Sequence, residues 1–186
     1  MGYRSHGEKM KLIVFSGLPG TGKSTLAEAV GKYFGISVFA KDWLEASLMQ
    51  SGLRSTDKNK SLGFAGYELL TVLAKRQLML GQSVILDSVV ATRKIRAEWR
   101  KLAKRYQAEW RVIECVCSDE SIHRARLKTR KRGIPGWHEL EWSEVERVKR
   151  YYVPWRQEHL TLDMKNPLEE NLAKARAYCE RIDCEV

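Results

Sequence analysis

No uninterrupted apolar run in this sequence approaches the about 18–20 residues that a bilayer-spanning helix needs, which argues against a membrane protein of that kind. The opening stretch, Met1 to Lys11, is polar and has no apolar signal core, so the expectation is a protein that is not secreted. Residues 1–10 read as a flexible extension, with Met10 as a candidate start. Cysteine is scarce. The four thiols, Cys115, Cys117, Cys179 and Cys184, form no CxxC and accompany no spaced histidine pair. That pattern speaks against zinc and for reduced, partly buried thiols in a cytoplasmic protein. Acidic residues are outnumbered, 23 against 33 lysines and arginines, for a formal charge of +10. Such a balance favours anionic partners: nucleotides, nucleic acid, phosphorylated metabolites or an acidic surface. No repeat or low-complexity linker divides the 186 residues, and 44% are apolar, enough for a real interior. The expectation is one domain over residues 11–184.

Short apolar runs alternate with segments of helical period. Strands are expected at Lys11–Ser16, Ile36–Ala40, Ser83–Asp87, Trp110–Cys117 and His159–Met164. Between them Ser24–Phe34, Leu62–Leu80 and Thr92–Gln107 read as helices, the first two stopped by Gly35 and Gly81. The third has an apolar stripe of Ile95, Trp99, Leu102 and Tyr106, and its other faces carry Arg93, Lys94, Arg96, Arg100, Lys101, Lys104 and Arg105. Ser118 is expected to begin another helix, with Asp119 and Glu120 in its first turn, ending near Gly133–Gly136. Ser143–Glu146 reads as a capping box opening the next helix. A last helix follows Pro167, with Leu168, Leu172, Ala175 and Ile182 on one side. Strands alternating with helices predict an α/β fold: a five-stranded parallel sheet covered on both faces. The segment at about 118–155 holds more helix than one crossover needs and is expected to form a helical lid.

One motif decides the class. Gly17-Leu18-Pro19-Gly20-Thr21-Gly22-Lys23-Ser24 matches the P-loop pattern GxxxxGK[ST] between an apolar strand and a helix, and Thr25 follows it. Its glycines let the backbone wrap a triphosphate, whose charge the successive N–H groups and the helix N-terminus stabilise. Lys23 is expected to reach the β- and γ-phosphates and Ser24 to ligate Mg²⁺. Asp87 is followed by Ser88, so the Asp-Glu pair of mechanical ATPases is missing. Neither an NKxD guanine-reading string nor an LSGGQ-like transporter signature occurs.

Four features together resemble the small P-loop kinases grouped with zeta toxin, polynucleotide kinase and chloramphenicol phosphotransferase. They are the P-loop, an aspartate just after the second strand, Val84-Ile85-Leu86-Asp87, and the arginine-rich helix after the fourth strand. The likeness is nearest to the bacterial ATP-binding kinases of AAA_33 type and covers about Lys11 to Glu180. It implies a P-loop NTPase fold using ATP and Mg²⁺. It also implies that Asp42 faces the acceptor hydroxyl, that Asp87 holds Mg²⁺ through water or touches the acceptor, and that lid arginines Arg126 and Arg130 neutralise the transferred phosphoryl group, with Arg132 a further candidate.

The expected activity is ATP-dependent transfer of the γ-phosphoryl group to a hydroxyl of a small molecule or nucleotide. A 5′-hydroxyl polynucleotide acceptor and a nucleotide-dependent binding module or slow ATPase are the alternatives. The basic Arg93–Arg105 surface could guide nucleic acid, and Trp137 and Trp142 could stack a base or sugar. Against a polynucleotide stands Glu45, where polynucleotide kinases carry an arginine three positions after the aspartate.

Overall fold

The run Lys11–Ser16 forms β1, the central strand of the sheet, in a computed structural model that describes residues 9–53 and 62–181. In chain order the elements are β1, α1 (Lys23–Phe34), β2 (Ser37–Ala40), α2 (Lys41–Gln50), α3 (Leu62–Met79), β3 (Val84–Asp87) and α4 (Arg93–Arg105). They continue with β4 (Glu109–Val116), α5 (Glu120–Thr129), α6 (Trp142–Lys149), β5 (Leu160–Asp163) and α7 (Leu168–Glu180). The strands lie in the order β2-β3-β1-β4-β5 and every pairing is parallel.

Side chains on a strand point alternately to its two sides, and β1 divides its residues accordingly. Leu12 and Val14 enter one core with Leu70, Trp99 and Trp155. Ile13 and Phe15 enter the other with Leu26, Val30 and Ala175. A strand buried on both faces has to be apolar throughout, which explains the unbroken Leu-Ile-Val-Phe run. The carboxyl ends of β1 and β3 meet, Phe15 opposite Asp87, and place the P-loop beside Asp87.

Some boundaries and faces differ from the sequence reading. Asp119 is the N-cap of α5, accepting from the N–H groups of Ser121 (2.8 Å) and Ile122 (3.1 Å). Ser118 lies outside that helix and binds Asp163 through its N–H and hydroxyl. α5 ends at Thr129, before the Gly-Pro breaker, with Arg130 extended and no regular structure from there to Ile134. The capping box of α6 joins Glu141 and Glu144, so that helix starts at Trp142 and Ser143 lies inside it. On α7 the deepest residues are Asn171, Ala175 and Cys179, with Leu168 and Leu172 at the margin; Ile182 is outside the described residues. Arg96 is not on the solvent side of α4 but buried. Its guanidinium lies 3.8 Å from the ring centre of Trp155, and Nε donates to the Val90 carbonyl at 2.8 Å. Cys115, Cys117 and Cys179 are reduced, and Cys184 is outside the described residues. Among the described residues no helix is long and apolar enough to cross a membrane.

Candidate active site

The P-loop closes over α1 because its glycines take backbone angles other residues resist. Gly17 has φ 136, and a Cβ there would lie 2.2 Å from the Cys115 carbonyl oxygen. Gly20 has φ 80, and a Cβ would meet Leu127 at 2.8 Å and His123 Nε2 at 3.2 Å. The same His123 is buried and donates from Nε2 to the Pro19 carbonyl at 2.8 Å. α5 therefore props the loop from outside. This role went unread in the sequence, where His123 heads a run of cations.

Lys23 is buried, its Nζ 3.5 Å from the Leu18 carbonyl. Burial lowers its pKa to about 8, opposed by the Asp87 carboxylate and reinforced by Arg130 and Arg132. Asp87 is buried too, and desolvation raises its pKa against the pull of Lys23 and the Ser24 hydroxyl. Its Oδ1 has no hydrogen-bond partner. An orphaned carboxylate oxygen next to a serine hydroxyl is a hard-oxygen pair of the type Mg²⁺ takes, with phosphates and water as further ligands. Among the described residues no group of three or more His, Cys, Asp or Glu could hold a metal.

A cleft of about 410 Å³ opens above the loop, lined by Gly20, Gly22, Lys23, Ser24 and Thr25, and across from them by Arg126 and Arg130. Met164 and Asn166, on the turn after β5, and Leu168, which opens α7, form its outer wall. No motif marks Met164 and Asn166 as cleft residues, because a turn between a strand and a helix carries no signature of its own, and Leu168 reads only as part of the apolar side of α7. Arg126 binds this wall, donating to the Met164 carbonyl at 2.7 Å. Arg130 is close enough for its charge to act on both Lys23 and Asp87.

Asp42 stands in the first turn of α2, where its charge suits the helix dipole, but it caps nothing; the N-cap is Ala40. Its carboxylate is paired with Arg132 instead. Arg132 also lowers the pKa of Lys23, so one guanidinium links the phosphate side to Asp42. A second tie runs from Gln50 Nε2 to the Pro135 carbonyl, bringing the stretch after α5 onto α2. Glu45 is buried and paired with Lys41 at 2.6 Å.

Between β3 and α4 five of the eight backbone N–H and carbonyl groups from Ser88 to Ala91 bond to residues outside the connection. The Ser88 N–H donates to Phe15 O, and the Val89 carbonyl accepts from Ser16 Oγ at 2.9 Å. The Val90 N–H donates to Tyr67 OH at 3.1 Å, its carbonyl accepts from Arg96, and the Ala91 carbonyl accepts from the Val153 N–H. Val90 has φ 49, a conformation that β-branched residues rarely take.

Trp142 does not reach the phosphate cleft. Arg124 lies 4.0 Å and Lys149 4.9 Å from its ring centre, and His123 stacks edge-on at 5.1 Å. It lines a second cavity of about 290 Å³ with Glu114, Cys117 and Tyr152. Trp137 packs against His138, centroids 4.9 Å apart, and is absent from the cleft lining as well.

The AAA_33 family profile, an AAA domain, matches residues 12–154, which include the P-loop, Asp42, Asp87, Arg126 and Arg130. The chain belongs to that family. Its fold is shared with solved kinases at low identity. A sugar kinase from Janibacter sp. HTCC2649 is 18% identical with a TM-score of 0.68, over 92% of this chain and 95% of its own. A gluconokinase from Sinorhizobium meliloti 1021 is 20% identical with a TM-score of 0.66, over 90% of each. The APS kinase CysC of Mycobacterium tuberculosis, in complex with AMPPNP and APS, is 17% identical with a TM-score of 0.66, over 93% and 99%. A search of curated proteins finds no match to this chain. Membership of AAA_33 and the all-parallel sheet make this a P-loop NTPase fold.

Proposed function

We propose that this AAA_33 protein is a kinase that transfers the γ-phosphoryl group of ATP to a hydroxyl group of a small molecule or nucleotide. The observation that carries the reading is Arg132. It pairs with Asp42 while its charge reaches Lys23, so acceptor and phosphate chemistry converge under one stretch of chain. In this reading the P-loop N–H groups from Gly17 to Thr25 and the Lys23 ammonium bind the triphosphate. Ser24 and Asp87 would hold Mg²⁺, which supplies charge neutralisation at the phosphates. Asp42 orients the acceptor hydroxyl and takes its proton as oxygen bonds to the γ-phosphorus and the bond to the leaving ADP oxygen breaks. Arg126 and Arg130, on the proposed lid at about 118–155, stabilise the charge on the phosphoryl oxygens and exclude water.

A small acceptor is favoured over a polynucleotide because Glu45 is held by Lys41 inside α2, at the place where polynucleotide kinases carry an arginine. The deciding experiment follows γ-labelled phosphate from Mg·ATP into nucleosides, sugars, aminoglycoside and phenicol antibiotics, and a 5′-hydroxyl oligonucleotide. Label should enter one acceptor class, vanish with Lys23→Ala, and fall by about 10²–10⁴ with Asp42→Asn, the usual weight of a general base. Unchanged transfer by Asp42→Asn would remove the acceptor half of the mechanism. Label found only in free phosphate would favour a slow ATPase or nucleotide-dependent binding module.

A further inference from the structure

The outward face of α4 carries six exposed cations, Arg93, Lys94, Arg100, Lys101, Lys104 and Arg105, against the single acid Glu98. That surplus of five is half of the chain's formal +10. Among the described residues none of the six has an acidic side chain within ion-pair distance. The arrangement is unfavourable for the helix itself. Arg93 and Lys94 sit in the first turn, against the positive end of the dipole, and Arg100–Lys104 and Lys101–Arg105 are like-charge pairs four apart. Other helices of the same molecule avoid this. α7 opens on Glu169 and Glu170 and pairs Glu170 with Lys174, and α5 pairs Glu120 with Arg124. Solubility alone does not require a face so different from its neighbours.

The geometry is that of two parallel rows. Positions seven and eleven apart fall on one side of a helix, which aligns Arg93 with Arg100 and Lys104, and Lys94 with Lys101 and Arg105. At about 1.5 Å per residue each row runs for roughly 16–17 Å. No exposed aromatic lies on this face to stack an unpaired base. The apolar side of α4, Ile95, Trp99 and Ala103, is locked in the core and cannot enter a bilayer. Cations in rows with neither stacking platform nor insertable side suit a regular ladder of phosphates. We propose that the outward face of α4 binds base-paired nucleic acid through its phosphate backbone, without reading sequence. This does not depend on which acceptor the active site uses.

The test is fluorescence-anisotropy titration with a labelled 20-base-pair RNA hairpin, its DNA counterpart, an unstructured oligonucleotide of the same length, and vesicles of mixed phosphatidylserine and phosphatidylcholine. The variant is the quadruple Arg100→Gln, Lys101→Gln, Lys104→Gln, Arg105→Gln. Its control removes the same charge from scattered exposed sites: Lys32→Gln, Lys75→Gln, Arg150→Gln, Arg156→Gln. The α4 variant should bind a hairpin at least tenfold more weakly at fixed salt, with the slope of log affinity on log salt reduced by roughly three to four. The scattered control should lose much less. Because like-charge pairs are removed, the α4 variant should melt at or above the wild-type temperature, so a loss of binding cannot be a loss of folding. Equal losses in both quadruples would reduce the effect to net charge and overturn the proposal. So would a preference for the unstructured strand. Binding to vesicles but to neither hairpin would also overturn it, and is the arm to watch because α3 exposes Val72 and Met79 beside α4.

Discussion

Lys23 is the residue on which environment acts most plainly. An ammonium taken out of water loses solvation, and with Arg130 and Arg132 nearby the Asp87 carboxylate offsets only part of the cost, so its pKa falls to about 8. A bound triphosphate supplies the missing negative charge and draws that pKa back up. The sign follows from which state holds the proton. Above pH 8 the nucleotide-free protein has begun to lose it while the complex retains it, so binding takes up a proton and weakens as pH rises. ATP affinity should be flat from pH 6.5 to 7.5 and then fall, approaching about tenfold per pH unit above pH 8.5. Calorimetry in two buffers of different ionisation enthalpy should show the uptake. Lys23→Arg, which stays charged, should bind more weakly but without that slope. A flat wild-type profile to pH 9.5 would refute the assignment. Lys23 was legible in the sequence because a P-loop is a local device: its spacing alone places ammonium, glycines and helix end. His123 was not. Its partner is the carbonyl of Pro19, supplied only when α5 folds against the loop, and no neighbour in sequence announces it.

Among the elements, the connection between β3 and α4 repays the closest reading. It holds a buried left-handed valine, Val90, tied to α3 and α4, while its neighbours Ser88, Val89 and Ala91 bond to β1 and to the chain after α6. A strained backbone persists where its surroundings over-determine it, and this one lies three residues after Asp87. Tyr67→Phe removes the hydroxyl that receives the Val90 N–H and leaves that donor buried without a partner. Stability should drop by about 1–3 kcal/mol in urea melts, the cost of an unsatisfied buried group. Phosphoryl transfer should fall as well if the loop shapes the acceptor site; intact stability would show that the hydroxyl is dispensable. Periodicity found α4 but not the fate of Arg96, since the indole that makes burial tolerable for a guanidinium comes from Trp155, far along the chain. α2 showed no period at all: Glu45 and Ala46 are its only buried residues, so too little of it faces the core to mark a stripe.

For the whole molecule, the question is what holds the chain after α5 over α2. Among the described residues the pair of Arg132 with Asp42 and the bond from Gln50 to Pro135 are polar ties across that gap, and the first is the better shielded, with side-chain exposures of 7% and 27%. Alternating strands and helices revealed the sheet, yet nothing in them could show that Arg132 would meet the proposed acceptor-side aspartate, because the contact exists only once sheet order brings α2 and the chain after α5 to one edge. If that pair closes the lid, an acceptor hydroxyl must displace Arg132 from Asp42 before it can be oriented. Arg132→Gln should then loosen the stretch 128–136 while leaving the sheet intact. Trypsin, which can still cut at Lys128, Arg130 and Lys131, should nick the variant severalfold faster than wild type, with unchanged far-ultraviolet circular dichroism. Mg·ATP should slow cleavage in both by engaging Arg126 and Arg130. Equal nicking rates for the two proteins would mean that the lid is held by its packing on the P-loop through His123 and Leu127. In that case the ion pair sets only the position of Asp42, and Arg132→Gln would lower transfer without changing protection.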